Sequence, residues 1–334
     1  MFVESIIWSM AENTTPSFDK ELVRYRNTIS RLVSLAERER YLKPFYVKKK
    51  SGGKRRIVPA TKDLVYVQSI LASWFVKTFG GSADYCYTGK GIIPAIKPHQ
   101  GAKTALVVDL KDAFDHVTKE KIYKLLERRF RKMSKEVRLL IATMLTYEGT
   151  TPQGCVSTPY VFNAVVDPMD KDLLAILGNF PLRAYTRYAD NMCFSFDKPV
   201  NLWAVDRAVA KIISMHDFQV SWSAGFEHMP ISYLGTHVYE DRLELDPDKL
   251  DAYVLLLNEA LSSPTPEVYR KQILGILTWV SQVYKTTNPE KLSPEDRAKL
   301  AYFIGLFQQY FGKVRGTPEL LERLVTSFHN SRMF

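Results

Sequence analysis

A short apolar strand that ends on an acid, followed much later by an apolar hairpin with an acid at its turn, does most to limit how this chain can fold. Leu106-Val107-Val108 is uniformly apolar, as in the buried middle of a sheet, and it runs straight into Asp109. Ala184–Tyr188 and Met192–Phe196 read as two strands folded back on each other, joined at Asp190-Asn191. A carboxylate closing a buried strand is held rigidly at the rim of a sheet, where a cation can be placed accurately. One at the tip of an apolar hairpin is costly unless water or a metal meets it. Taken singly, each also fits an ordinary structural role, because Asp and Asn suit caps and turns.

Helical patterns surround these strands. Phe18–Arg40 carries Leu22, Ile29, Leu32, Val33 and Leu35 at near-helical spacing, and Leu64–Phe79 is apolar on most of its surface. Further helices are expected at Thr118–Arg131 (with Thr118 as N-cap), Ser134–Leu145, Pro159–Leu177 and Leu202–His216. Between the first two helices, Phe45-Tyr46-Val47, Ser51-Gly52-Gly53 and Ile57-Val58-Pro59 spell strand, turn and strand. From Asp248 onward the patterns at Leu250–Leu261, Pro266–Tyr284, Pro294–Phe311 and Pro318–Phe328 are all helical. The fold class is therefore α+β, with its strands gathered in the middle.

Of the 334 residues, 46% are hydrophobic and 25% charged, an ordinary balance for a globular chain. No run approaches the roughly 18 apolar residues of a membrane helix, and MFVESIIWSM lacks a basic flank, so no membrane and a cytoplasmic setting are expected. Cys86, Cys155 and Cys193 are scattered, which predicts reduced thiols and no zinc site. The net charge of +10 is compatible with a polyanionic partner, and its distribution is more telling. Lys43 to Lys62 holds eight basic residues and no acidic one, among them Lys48, Lys49, Lys50, Lys54, Arg55 and Arg56. A solvated face and a nucleic-acid contact both fit that run.

A third segment, Thr151–Pro159 (TPQGCVSTP), is a polar loop opening a helix, with Ser157 or Thr158 as cap and Pro159 in the first turn. Read together, the three segments resemble the reverse transcriptase family: DLKDAF (Asp109–Phe114) its motif A, PQGCVSTP (Pro152–Pro159) its motif B and YADN (Tyr188–Asn191) its motif C, in the family's order. Arg55, Arg56, Ile57 and Pro59 look like its fingers motif, and Tyr233-Leu234-Gly235 resembles its primer grip. The resemblance covers Lys43 to Leu245.

It implies a right-hand polymerase: an N-terminal helix and fingers over 1–105, an antiparallel-sheet palm over 106–245 and an all-helical thumb over 246–334. It implies an RNA-directed DNA polymerase, with an RNA-dependent RNA polymerase and a catalytically silent RNA-binding module as alternatives. Asp109 and Asp190 would converge on two Mg2+ ions (or Mn2+), joined by the Leu110 carbonyl and Asn191. Arg55 or Arg56 would clamp the triphosphate of a dNTP, Phe114 would collide with a ribose 2′-hydroxyl, and Gln153 and Gly154 would floor the incoming base. The basic run and Tyr233-Leu234-Gly235 would hold the RNA template and a nucleic-acid primer.

Two departures stand out. The family's motif C usually ends in a second Asp where this chain has Asn191, so the site either works with two full carboxylates or loses activity. A lysine that many relatives place near the triphosphate has no match in Phe218–Phe226. KKKSGGKRRIVP and AIKPH (Ala95–His99) look similar to bacterial retron and defence-associated enzymes, although the retron thumb's Val-Thr-Gly is missing. At this length no RNase H, protease or integrase domain is expected. A bacterial anti-phage role with a dedicated non-coding RNA or companion protein is the implied setting.

Overall fold

The computed structural model describes residues 26–48, 52–79, 86, 91–286, 293–314 and 316–330. The expected helix before Arg26, and Lys49 and Lys50, lie outside the described residues.

Strand β3 (Thr104–Leu110) organises the centre, since all its residues except Asp109 are buried. It is paired antiparallel on both sides, with β5 (Asn191–Phe196) and with β6 (Val220–Phe226). Strand β4 (Leu182–Tyr188) pairs with β5, giving the order β4-β5-β3-β6. Side chains alternate across a strand, so β3 feeds two cores. Leu106, Val108 and Leu110 face one that includes Ile122, Phe162, Met169, Val209 and Ile213. These come from helices α4 (Lys119–Arg129), α6 (Thr158–Leu177) and α7 (Leu202–Met215). Ala105 and Val107, with Cys193, face the other core.

The helices on the first face follow from their sequence signals. Thr118 and Ser134 accept from the amides of Lys121 and Val137, capping α4 and α5 (Lys135–Met144), and Asn201 caps α7 in the same way. At α6 the expected cap fails. Ser157 takes the cap position without a side-chain bond to the helix, and Thr158 instead donates to the Pro152 carbonyl at 2.6 Å. That bond folds the preceding loop back onto the helix start.

Ahead of the sheet, α1 (Arg26–Ser34) meets α2 (Lys62–Phe79), and between them β1 (Phe45–Lys48) and β2 (Lys54–Ile57) form an exposed hairpin. The short α3 (Ile92–Ile96) leads into the 3-10 turn Lys97–His99. The second core runs from Val107 through a small sheet of β7 (Ile231–Tyr233), β8 (Thr236–Val238) and β9 (Leu243–Leu245) into the C-terminal helices. These are α8 (Pro247–Ser262), α9 (Arg270–Thr286), α10 (Pro294–Lys313) and α11 (Glu319–Asn330). Phe303, Phe307, Tyr310 and Phe311 of α10 are fully buried, and the Tyr310 hydroxyl donates to the Pro266 carbonyl at 2.7 Å. The stretch expected as one helix from Pro266 begins as a 3-10 turn, Pro266–Tyr269. No helix among the described residues is long and apolar enough to cross a membrane.

Candidate active site

The ladder registers align one row across the four strands: Tyr188, Asn191, Asp109 and Trp222. Partners in an antiparallel ladder point to the same face, so Asp109 stands between Asn191 and Trp222 on the side of the sheet away from α4, α6 and α7. The hairpin turn differs from expectation by one residue. Ala189-Asp190 makes it, and Asn191 already belongs to β5. The Leu110 amide donates to the Asp190 carbonyl at 3.0 Å, strapping the end of β3 to the hairpin tip. Two acids 81 positions apart therefore meet at one rim.

Their electrostatics match that closeness. Burial, and then the charge of Asp190, push the Asp109 carboxyl up to about 6. Burial also raises Asp190, against the opposing pull of its hydrogen bonds and of the Arg55 and Arg187 charges. The Asn191 side-chain amide donates to Asp190 Oδ1 at 3.2 Å, a contact that a second Asp could make only when protonated. Among the described residues no three His, Cys, Asp or Glu side chains cluster as a metal site. Even so, two partly buried carboxylates of like charge suit a divalent cation, which would relieve the burden on both. Asp109 and Asp190 would hold it, with the Leu110 carbonyl and the Asn191 amide oxygen as neutral donors beside them.

The loop of motif B is tied to the segment that follows β3 and to the end of β2. The Thr151 hydroxyl donates to the Phe114 carbonyl at 2.9 Å, and the Val58 amide donates to the Gln153 carbonyl at 2.8 Å. Phe114 is half-buried, with its ring 5.0 Å from that of Phe162. Gly154 has φ +105°, and a Cβ there would lie 2.7 Å from Ile57 Cγ2. Only glycine lets the loop and β2 come this close.

The two arginines of β2 part company. Arg56 forms a two-pronged pair with Glu148 at 2.6 and 3.1 Å and lies over the Tyr147 ring. Arg55 shares its face with Ile57, the residue touching Gly154, and its charge acts on Asp190. Lys48 and Lys54 face each other across the exposed hairpin.

Tyr233 requires a correction. Its ring is 2% exposed and points inward, and its hydroxyl lies 3.3 and 3.4 Å from the carbonyls of Asn191 and Thr186. It is a strut under the row that holds Asn191 and Asp109, with almost no surface of its own. Leu234 and Gly235, with φ of 53° and 72°, form the turn beside it. His99 completes the support: Ser195 Oγ lies 2.7 Å from Nδ1, and Thr186 Oγ1 lies 2.8 Å from Nε2. Thr186 donates to the Ala95 carbonyl, so Nε2 carries the ring proton and Nδ1 accepts from Ser195. Burial holds this imidazole down to about 3, hence neutral.

Sequence reasoning missed Trp222, which is 47% exposed beside Asp109. It also missed Arg187 and Asp170, a buried pair beneath the Asp190 turn.

With this geometry in view, comparison with known proteins defines the class. The family model described as reverse transcriptase (RNA-dependent DNA polymerase) matches residues 47–238, more than half of the chain, and the chain belongs to that family. It is 29% identical over 170 residues to the retron Mx162 reverse transcriptase of Myxococcus xanthus, covering 46% of this chain and 35% of that one. It is 25% identical over 282 residues to the retron Mx65 reverse transcriptase of the same organism, covering 76% and 63%. The chain thus spans less than two thirds of either relative. Its fold is like that of telomerase from Candida albicans, solved with a fragment of telomeric RNA. The TM-score is 0.50 at 10% identity, over 92% of this chain and 67% of that one. The fold is that of a right-hand polymerase, mixing helices with antiparallel sheets.

Proposed function

We propose that the chain is an RNA-directed DNA polymerase that adds dNTPs to a nucleic-acid primer at Asp109 and Asp190. One observation supports the reading: the bond from the Leu110 amide to the Asp190 carbonyl, which brings the end of β3 to the hairpin tip, beside two partly buried carboxylates. A magnesium or manganese ion held by Asp109 and Asp190 would supply a lowered pKa at the primer 3′-hydroxyl and charge to offset the triphosphate. The chain's own residues do the rest. Arg55 grips triphosphate oxygens, because its charge acts on Asp190 while Arg56 is engaged by Glu148. Phe114, braced by Phe162 and by the Thr151 bond, crowds the ribose 2′ position and favours dNTPs. The Gln153–Gly154 backbone floors the base, and Lys48, Lys54 and the Leu234-Gly235 turn border the template and primer.

Kinship to enzymes named as retron reverse transcriptases supports a bacterial setting. There we place the chain in anti-phage defence, working in the cytoplasm with a dedicated non-coding RNA or companion protein.

Primer extension on an RNA template with Mg2+ or Mn2+ tests the reading. Wild type should incorporate dNTPs in preference to NTPs, Asp190→Ala should not extend the primer, and Phe114→Ala should admit NTPs. Preference for NTPs in the wild type would make it an RNA polymerase. No extension with either metal would leave an RNA-binding module, the alternative for which Asn191 is the support.

A further inference from the structure

The polymerase reading makes no use of the ion pair buried under its own catalytic turn. Arg187 is fully buried and Asp170 is 2% exposed. Arg187 belongs to the row Arg187, Met192, Val108 and Ser223, on the face opposite Asp109. Its Nε donates to both Asp170 oxygens at 2.9 and 3.1 Å, and Nη2 donates to Asp170 Oδ2 at 2.7 Å. Nη2 also reaches Asn163 Oδ1 at 2.6 Å, and Nη1 reaches the Ala189 carbonyl at 3.2 Å. The Tyr185 hydroxyl donates to Asp170 at 2.6 Å. Asn163 and Asp170 lie seven residues apart on α6, two turns along one face.

Stability alone does not account for this arrangement. Two charges taken fully out of water are costly, and well-packed apolar side chains of similar volume stabilise a core as well or better. What an apolar pair cannot do is fix several bond directions at once, as the planar guanidinium does. One of those directions ends on Ala189, the residue before Asp190. Ala189 has φ 57°, a region unfavourable for any residue with a Cβ. The Arg187 Nη1 bond reaches its carbonyl from beneath the turn.

We propose that Arg187, oriented by Asp170 and Asn163, is a positioning residue: it locks the Ala189 carbonyl and so sets the direction in which Asp190 leaves the turn. The inference rests on reading Asp109 and Asp190 as the cation site. Through α6 it also ties that site to the loop carrying Gln153 and Gly154, since the same helix begins at that loop and supplies both partners of Arg187.

Mn2+ binding by electron paramagnetic resonance, without substrates, tests this beside thermal melts of the same full-length variants. The double variant Arg187→Met/Asp170→Leu should melt within a few degrees of wild type, yet bind Mn2+ about tenfold or more weakly, as when other outer partners of metal ligands are lost. Arg187→Lys, which keeps a charge for Asp170 but cannot also reach Ala189, should weaken binding similarly. Asp190→Ala should abolish it. If either Arg187 variant folds and binds Mn2+ like wild type while Asp190→Ala does not, the pair is only structural and the proposal falls. If Asp190→Ala itself binds normally, the cation-site reading fails first and takes the proposal with it. If neither Arg187 variant folds, the pair is a folding requirement and the positioning role is overturned.

Discussion

Adding one methyl group to the motif B loop should disturb both stability and nucleotide binding. Gly154→Ala places a Cβ 2.7 Å from Ile57 Cγ2, with the Val58 amide nitrogen and carbonyl carbon at 3.6 and 3.7 Å. Carbon atoms prefer about 3.5–4.0 Å, and Cγ2 is carried directly on Cβ, so it can give way only by a change of χ1, which is stiff in a β-branched residue, or by a shift of the strand. The backbone adds its own strain, because φ is +105°. Overlap of this kind costs about 1–3 kcal/mol and a residue held at such a φ about 1–3 kcal/mol. The variant should therefore lose about 2–6 kcal/mol, or about 3–9 °C in Tm for a chain of this size. Any relief must move β2, which the Val58–Gln153 bond ties to the loop and which carries Arg55. KM for dNTP should rise with the loss of stability. Ile57→Ala in the same chain removes the overlap but leaves the strain, so the double variant should recover about half the loss. Chemical denaturation and steady-state kinetics on the four proteins measure this. Wild-type Tm and KM in Gly154→Ala would refute the close approach.

Three further outcomes are expected. The Asp109 carboxyl lies at about 6 in the folded chain against 3.8 ordinarily, so without metal the folded form holds the extra proton between those values and gains stability as pH falls through that window. Mn2+ must displace this proton, and its affinity should drop about tenfold per pH unit below about 6, as calorimetry with proton-release correction would record. Arg55→Ala should raise the dNTP KM about 10–100-fold, the worth of a charged hydrogen bond. Arg56→Ala should move it less than about threefold, since exposed pairs such as Arg56–Glu148 contribute little. Trp222 sits one strand from Asp109, about 5 Å between backbones, so bound Mn2+ should quench its fluorescence. Trp222→Phe should remove most of that quenching, and a full quench in the variant would put the ion elsewhere.

Much of the fold was legible because the signals were local. Helix caps at Thr118 and Ser134 and the apolar run into Asp109 mark their elements without tertiary help. The motifs placed Asp109 and Asp190 for the same reason. What escaped depends on the packed molecule. Asp190-Asn191 is the stronger turn dipeptide, yet the turn falls on Ala189-Asp190, with Arg187 holding the Ala189 carbonyl from below. Arg187 itself looks like the polar half of an alternating strand until Asp170 arrives from α6. Trp222 lies on β6, whose Gly225 and near-continuous exposure hide its register beside Asp109. Tyr233 reads as a nucleic-acid contact only through the resemblance of Tyr233-Leu234-Gly235 to a primer-grip segment. Its burial is decided by His99 and Asn191, both distant in sequence.

Locating manganese by anomalous diffraction, in crystals grown with Mn2+ and a dNTP, would probe the central claim most directly. The account predicts two manganese peaks about 3.5–4 Å apart, bridged by the carboxylates of Asp109 and Asp190 at the rim where β3 meets the hairpin tip. Peaks bound elsewhere, or ions touching only one of these two side chains, would contradict it.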